Sequence, residues 1–190
     1  MSNEYLDIET IHLLAIQEYQ KQNYKNAENL YNKIISIDHN NVGAYINLGN
    51  VLQQLKNYNK AIYCYKKALK LNPKQEKIYY NLGNVFQILG KNLKAIDCYK
   101  NAIKLNQKYI QAYNNLGLVL KKMEQYSEAI EYYKNAIIVN PKFIDLYNNL
   151  GLIYNELEEP KKAINCFQKI IKIVPQNVES HFNLMYVFER

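Results

Sequence analysis

A chain of 190 residues that is 48% hydrophobic can bury a sizeable core, and its 22% charged residues are ordinary for a soluble protein. The formal net charge of +7 raises nucleic acid as a partner. Arginine is absent until Arg190, however, so the guanidinium forks that read bases are missing, and a lysine-coated surface with no nucleic-acid partner is expected. No apolar run approaches the ~20 residues that cross a bilayer, and the polar, acidic start Met1–Asp7 does not resemble a signal peptide. An intracellular location, cytoplasmic or nucleocytoplasmic, with no membrane contact is the expectation.

Taken along the chain, the first periodic segment begins near residue 8, and its pattern then recurs to the C-terminus. Leu48-Gly49 recurs as Leu82-Gly83, Leu116-Gly117 and Leu150-Gly151, always 34 residues on. The same step joins Ala27, Ala61, Ala95, Ala129 and Ala163. It joins Tyr31, Tyr65, Tyr99, Tyr133 and Phe167, and also Tyr45, Tyr79, Tyr113 and Tyr147. The units run 8–41, 42–75, 76–109, 110–143 and 144–177, followed by a half unit, 178–190. Within each, apolar residues fall three and four apart, the spacing of a helix face. In the second unit Tyr45, Leu48, Gly49 and Leu52 mark a helix A, and Ala61, Tyr65 and Ala68 mark a helix B. The polar Lys56-Asn57-Tyr58-Asn59 turns between them, and Pro73 stops helix B. Each unit is therefore a helical hairpin, and the whole is read as one array of stacked repeats.

The order Tyr45, Leu48, Gly49, Leu52, Ala61, Tyr65, Ala68, Pro73 resembles the signature of the tetratricopeptide repeat (TPR) family over nearly the whole chain. The departures are Ile34 and Ile170 for the last alanine, His39 and Gln107 for the proline, and Met185 for the glycine. The resemblance implies an all-α, right-handed superhelical solenoid of helix-turn-helix repeats, with A helices lining the concave side. Glycine inside a helix costs roughly 1 kcal/mol against alanine. Close approach of helices A and B at that point is the expected compensation.

The half unit is rich in apolar residues and lacks a helix B. Either the chain continues beyond it in the natural protein, which is the favoured reading, or this end self-associates as a homodimer.

No catalytic constellation is found. Cys64, Cys98 and Cys166 share one repeat position, too far apart for a disulfide, and read as reduced structural residues. His12, His39 and His181 sit in no nucleophile motif, and the glycines serve the repeat rather than a phosphate loop. The chain is expected to be neither an enzyme nor a carrier of a metal or cofactor.

Asparagine alone rises above the scaffold. Asn47, Asn81, Asn115, Asn149 and Asn183 occupy one position in five successive units, with Leu13 breaking the series in the first. Asparagine inside a helix costs about 0.6 kcal/mol against alanine, and nothing in the packing is expected to require it. A side-chain amide can donate to and accept from a peptide backbone without reading its side chains. At ~10 Å per repeat and ~3.3 Å per extended residue, one asparagine meets about every third residue of a ligand. Asn50 and Asn84 extend the series, Tyr80, Ile46, Ile88, Leu118 and Leu152 offer apolar contacts, and Lys77, Lys121 and Lys122 make the middle basic. Asp145, Glu156 and Glu179 make the far end acidic, so the ligand expected is a mostly neutral peptide with one acidic residue. The series, with Asn-Leu-Gly-Asn at 47–50 and 81–84, looks like the TPR superhelix of O-linked N-acetylglucosamine transferase, in which asparagines hold extended substrates. The resemblance implies peptide binding here, without the transferase's catalytic domain. The carboxylate clamp of chaperone-adaptor TPRs is incomplete, with Lys77 alone well placed. The sequence thus reads as a protein-interaction scaffold for an extended polypeptide. The alternatives are the recruiting arm of a longer glycosyltransferase and a self-assembling module.

Overall fold

The computed structural model describes residues 7–188 and contains eleven helices among them. They are α1 (Ile8–Gln20), α2 (Tyr24–Ile37), α3 (Val42–Gln54), α4 (Tyr58–Leu71), α5 (Glu76–Ile88), α6 (Asn92–Leu105), α7 (Ile110–Lys122), α8 (Tyr126–Val139), α9 (Ile144–Glu156), α10 (Pro160–Ile173) and α11 (Val178–Phe188). Odd-numbered helices are the A helices and even-numbered ones the B helices. No strand occurs among the described residues, so the fold is all-α. Contacts divide the chain between Leu105 and Asn106 into two compact units, α1–α6 and α7–α11. Inside each unit, A packs on its own B, and B packs on the next A.

The turns repeat as faithfully as the helices. Every A-to-B turn places one residue in the left-handed region: Gln22, Lys56, Gly90, Glu124 and Glu158, at φ of 55–68°. Only Gly90 takes it without a side-chain penalty. The turn is closed by a backbone bond reaching five residues back, as in Asn57 N–H to Leu52 C=O at 2.8 Å and Lys91 N–H to Phe86 C=O at 2.8 Å. Four of the five B helices end one step before an Asx turn rather than at proline, and α10 ends with its C-cap Val174 ahead of Pro175. The side chains of Asp38, Asn72, Asn106 and Asn140 accept the amide two residues on, at 3.0–3.2 Å. This is why Gln107 can replace the expected proline while α6 still stops at Leu105.

The core of the second to fifth hairpins is an aromatic ring laid against a glycine, and Ala15 takes the glycine's place in the first. Tyr65, Tyr99 and Tyr133 are fully buried, and Phe167 nearly so. A Cβ added to Gly49, Gly83, Gly117 or Gly151 would lie 2.5, 2.6, 2.4 or 2.8 Å from the facing ring. The helices meet where only a hydrogen fits between them, and the buried ring is what that approach gains.

Candidate functional site

The asparagine series lies on the A helices, each member beside a buried leucine (Leu48, Leu82, Leu116 or Leu150) or beside half-buried Leu184 on α11. All five asparagines are half-buried. The expectation that packing does not require them fails. Asn47 Nδ2 lies 3.1 Å from His12 Nε2, and Asn81 Nδ2 donates to Asn50 Oδ1 at 2.9 Å. In the second unit Asn149 donates to Asn114 at 2.9 Å, and Asn183 donates to Asn148 at 3.2 Å. In each of these junctions the preceding A helix presents one polar and one apolar residue four apart: His12 with Ile16, Ile46 with Asn50, Asn114 with Leu118, Asn148 with Leu152. The asparagine bonds the polar one. A half-buried amide needs a partner, and the neighbouring repeat supplies it.

The remaining predicted residues divide between network and solvent. Asn50 accepts the Tyr65 hydroxyl at 2.7 Å as well as Asn81, and Asn84 accepts the Tyr99 hydroxyl at 2.8 Å. Gln53 and Gln87, which sequence reasoning passed over, accept from the same hydroxyls at 3.3 and 2.6 Å. Their signal was a polar residue three beyond Asn50 and Asn84, in reach of the tyrosine. Tyr80 is half-buried, its ring centroid 6.0 Å from that of Tyr99. Asn115 stands half-buried on α7, and Lys77 is exposed at the start of α5.

The expected charge pattern is partly cancelled within the second unit. Lys121 Nζ lies 2.8 Å from Glu156, and Glu179 accepts from Asn148 at 3.0 Å. Lys122 and Asp145 are exposed. Ile88 is also exposed, whereas Ile46, Leu118 and Leu152 are half-buried.

Small clefts open beside the series in each unit. One of about 120 Å³ is bounded by Ile16, Tyr19, Tyr31, Asn47 and Asn50. One of about 210 Å³ is bounded by Leu152, Asn155, Phe167, Phe182, Asn183 and Tyr186, among others. A larger cavity of about 380 Å³ opens among α2, α3 and α4, lined by Glu28, Tyr45, Tyr63 and Cys64 among others. The buried Glu28 stands where the other repeats have Ile62, Ile96, Ile130 and Ile164, and Lys25 Nζ meets its carboxylate at 2.8 Å.

The chain carries no grouping of three or more His, Cys, Asp or Glu suited to a metal, among the described residues. No described helix is long and apolar enough to cross a membrane. The cysteines are free and buried. Burial pushes the thiols of Cys64 and Cys166 up to about 11 and that of Cys98 up to about 12. Thiolate is the reactive form, so all three are expected to resist a thiol reagent at mildly alkaline pH and to react at once in denaturant. Rapid native labelling of any of them would contradict this burial.

The sequence model of the tetratricopeptide repeat matches residues 42–75, 110–143 and 144–177, and two further tetratricopeptide repeat models match 88–124 and 64–97. The chain belongs to the tetratricopeptide repeat family. Among solved structures, this TPR chain is similar to MamA at 30% identity, with a TM-score of 0.81 over 92% of this chain and 99% of that one. It shares the fold of YrrB, a TPR protein with an unusual peptide-binding site, at 23% identity and a TM-score of 0.76, over 97% and 93% of the two chains. It also shares the fold of Pseudomonas aeruginosa PilF at 21% identity and a TM-score of 0.81, over 96% and 84%. No curated protein sequence matches the chain. The family and these neighbours support a protein-interaction module.

Proposed function

We propose that this TPR chain binds an extended polypeptide along its A-helix face, with the asparagine series holding the ligand backbone. The observation that carries the reading is how the amides are held. Asn81 and Asn149 each spend one N–H on the preceding repeat, and their carbonyl oxygens accept nothing among the described residues. The inter-repeat bond fixes the amide plane and leaves a second N–H and an acceptor for a ligand. Orienting these groups in advance lowers the entropy that a ligand loses on binding. YrrB offers a precedent on the same fold. The likeness of the series to the TPR region of O-linked N-acetylglucosamine transferase supports the same reading of the amides. A role as the recruiting arm of a longer glycosyltransferase rests on that likeness alone, and a catalytic domain encoded downstream of Arg190 would support it.

The test is a screen of the full chain against a library of disordered peptides, with Asn81, Asn115 and Asn149 changed together to Ala as the control. Each alanine recovers about 0.6 kcal/mol of helix propensity. That roughly offsets the ~1 kcal/mol of a lost hydrogen bond, so the variant is expected to melt near the parent. Its affinity for the hits is expected to fall at least tenfold, because each ligand bond is worth about 1 kcal/mol. Equal affinity in the folded variant would assign the asparagines to repeat stacking alone.

A further inference from the structure

The cavity of about 380 Å³ in the first compact unit is built from one face of each of three helices. Helix α2 presents Glu28 and Ile35, α4 presents Lys60 and Tyr63, and α3 between them presents Tyr45 and Leu52. Each pair is spaced three or seven residues apart, on one side of its helix. Two of these residues depart from the repeat. Glu28 holds the position of Ile62, Ile96, Ile130 and Ile164, yet it is only 8% exposed. Tyr63 holds the position of Asp97, Glu131 and Asn165 and is 58% exposed, a ring where the other repeats are polar.

A buried carboxylate loses its hydration and needs a cation in return. Lys25 brings one to Glu28 Oε2 at 2.8 Å. The Lys25 side chain is itself 76% exposed, and so solvated a lysine offsets little of that loss. The second oxygen, Oε1, has no hydrogen-bond partner among the described residues. The opposite wall is basic. Cys64 also lines the cavity, and its thiol feels both walls: burial pushes it up, the Glu28 carboxylate adds to that, and the Lys60 ammonium opposes it. A simple cation entering here meets Lys60, and Lys67 held 5.5 Å from the centre of the Tyr63 ring. A simple anion meets Glu28. A ligand carrying both charges and an apolar body suits every wall.

We propose that this cavity binds a free α-amino acid with a large apolar side chain. Its ammonium group meets Glu28 Oε1 and its carboxylate meets the Lys60 ammonium. Its side chain lies against Ile35, Leu52 and the rings of Tyr45 and Tyr63. The volume falls within the range of small-molecule pockets. A peptide terminus carries one of the two charges, whereas a free amino acid sets both on one carbon. The site shares no residue with the asparagine series, so either proposal can fail without the other.

Isothermal titration calorimetry of the full chain tests it, with L-phenylalanine, N-acetyl-L-phenylalanine and L-phenylalanine amide as probes. The titrations are run at about pH 6, where the free amines are protonated. The free amino acid is expected to bind saturably, and each blocked form, lacking one charge, at least tenfold more weakly. Glu28→Gln preserves the side chain's shape and is expected to erase only the preference over the acetylated form. Lys60→Met, at an exposed position, is expected to erase only the preference over the amide. Both variants are expected to keep the helical circular dichroism of the parent. Absence of L-phenylalanine binding at millimolar concentration would overturn the proposal. So would equal binding of the three compounds, or preferences that neither substitution alters.

Discussion

Replacing Gly117 with valine is expected to cost about 3 kcal/mol or more, the upper end of what overpacking a buried contact costs. The Tyr133 ring has atoms 2.4, 2.6 and 2.8 Å from the position of the new Cβ, and the ring is fully buried with no space to turn. Helices α7 and α8 would have to separate along the contact that holds the hairpin together. Alanine is a milder case. The first repeat carries fully buried Ala15 at this position, so one methyl group can be accommodated by a small shift. Alanine also regains about 1 kcal/mol of helix propensity, and Gly117→Ala is expected to lose only about 1 kcal/mol net. Urea denaturation of both variants measures this. A Gly117→Val chain as stable as the parent would show that the close approach is not what the glycine provides. Shrinking the ring in the Gly117→Val background should restore part of the loss, because the two residues share one contact.

Tyr99→Phe and Tyr133→Phe are expected to move stability in opposite directions, although the two tyrosines hold the same position in successive repeats. The Tyr99 hydroxyl donates to Asn84 and Gln87 at 2.8 and 2.6 Å. Removing it takes away the one proton that these two oxygens share and should cost about 1 kcal/mol. Around Tyr133 the matching positions are Leu118 and Lys121, and Lys121 is engaged with Glu156. The Tyr133 hydroxyl is buried without a partner among the described residues, and burial pushes its pKa well above the usual phenol value. Deleting an unpaired buried hydroxyl removes a penalty of about 1–3 kcal/mol, so Tyr133→Phe should stabilise. The fifth repeat already has this arrangement, with Phe167 facing Leu152 and Asn155. Thermal melts of the two single variants settle it. Equal destabilisation by both would mean that Tyr133 has found a hydrogen bond after all.

Most of the architecture was legible in the sequence because a 34-residue period carries its own control. A residue that recurs at one position against varied neighbours marks a packing constraint, and the recurring Leu-Gly pair, alanine and aromatic located both helices of each hairpin. The left-handed turn residues were not legible, because Gln22, Lys56, Glu124 and Glu158 have side chains that disfavour that backbone. The backbone bonds closing the turn, which reach five residues back onto helix A, hold them there.

The asparagine series marks where sequence stops and packing begins. Its positions, its spacing and its chemistry belong to the sequence, as do the cysteines' common position and the Met185 that interrupts the glycine series. What each amide touches belongs to the tertiary structure. Asn81 and Asn50 are 31 residues apart while Asn149 and Asn114 are 35 apart, so no single spacing rule finds both. The partner is whichever of two neighbouring positions on the preceding helix happens to be polar, and stacking one repeat on the next is what brings it to 2.9–3.2 Å. The unpaired hydroxyl of Tyr133 and the cavity beside Glu28 have the same origin. Each depends on what a neighbouring helix does or does not present, and that is decided by packing.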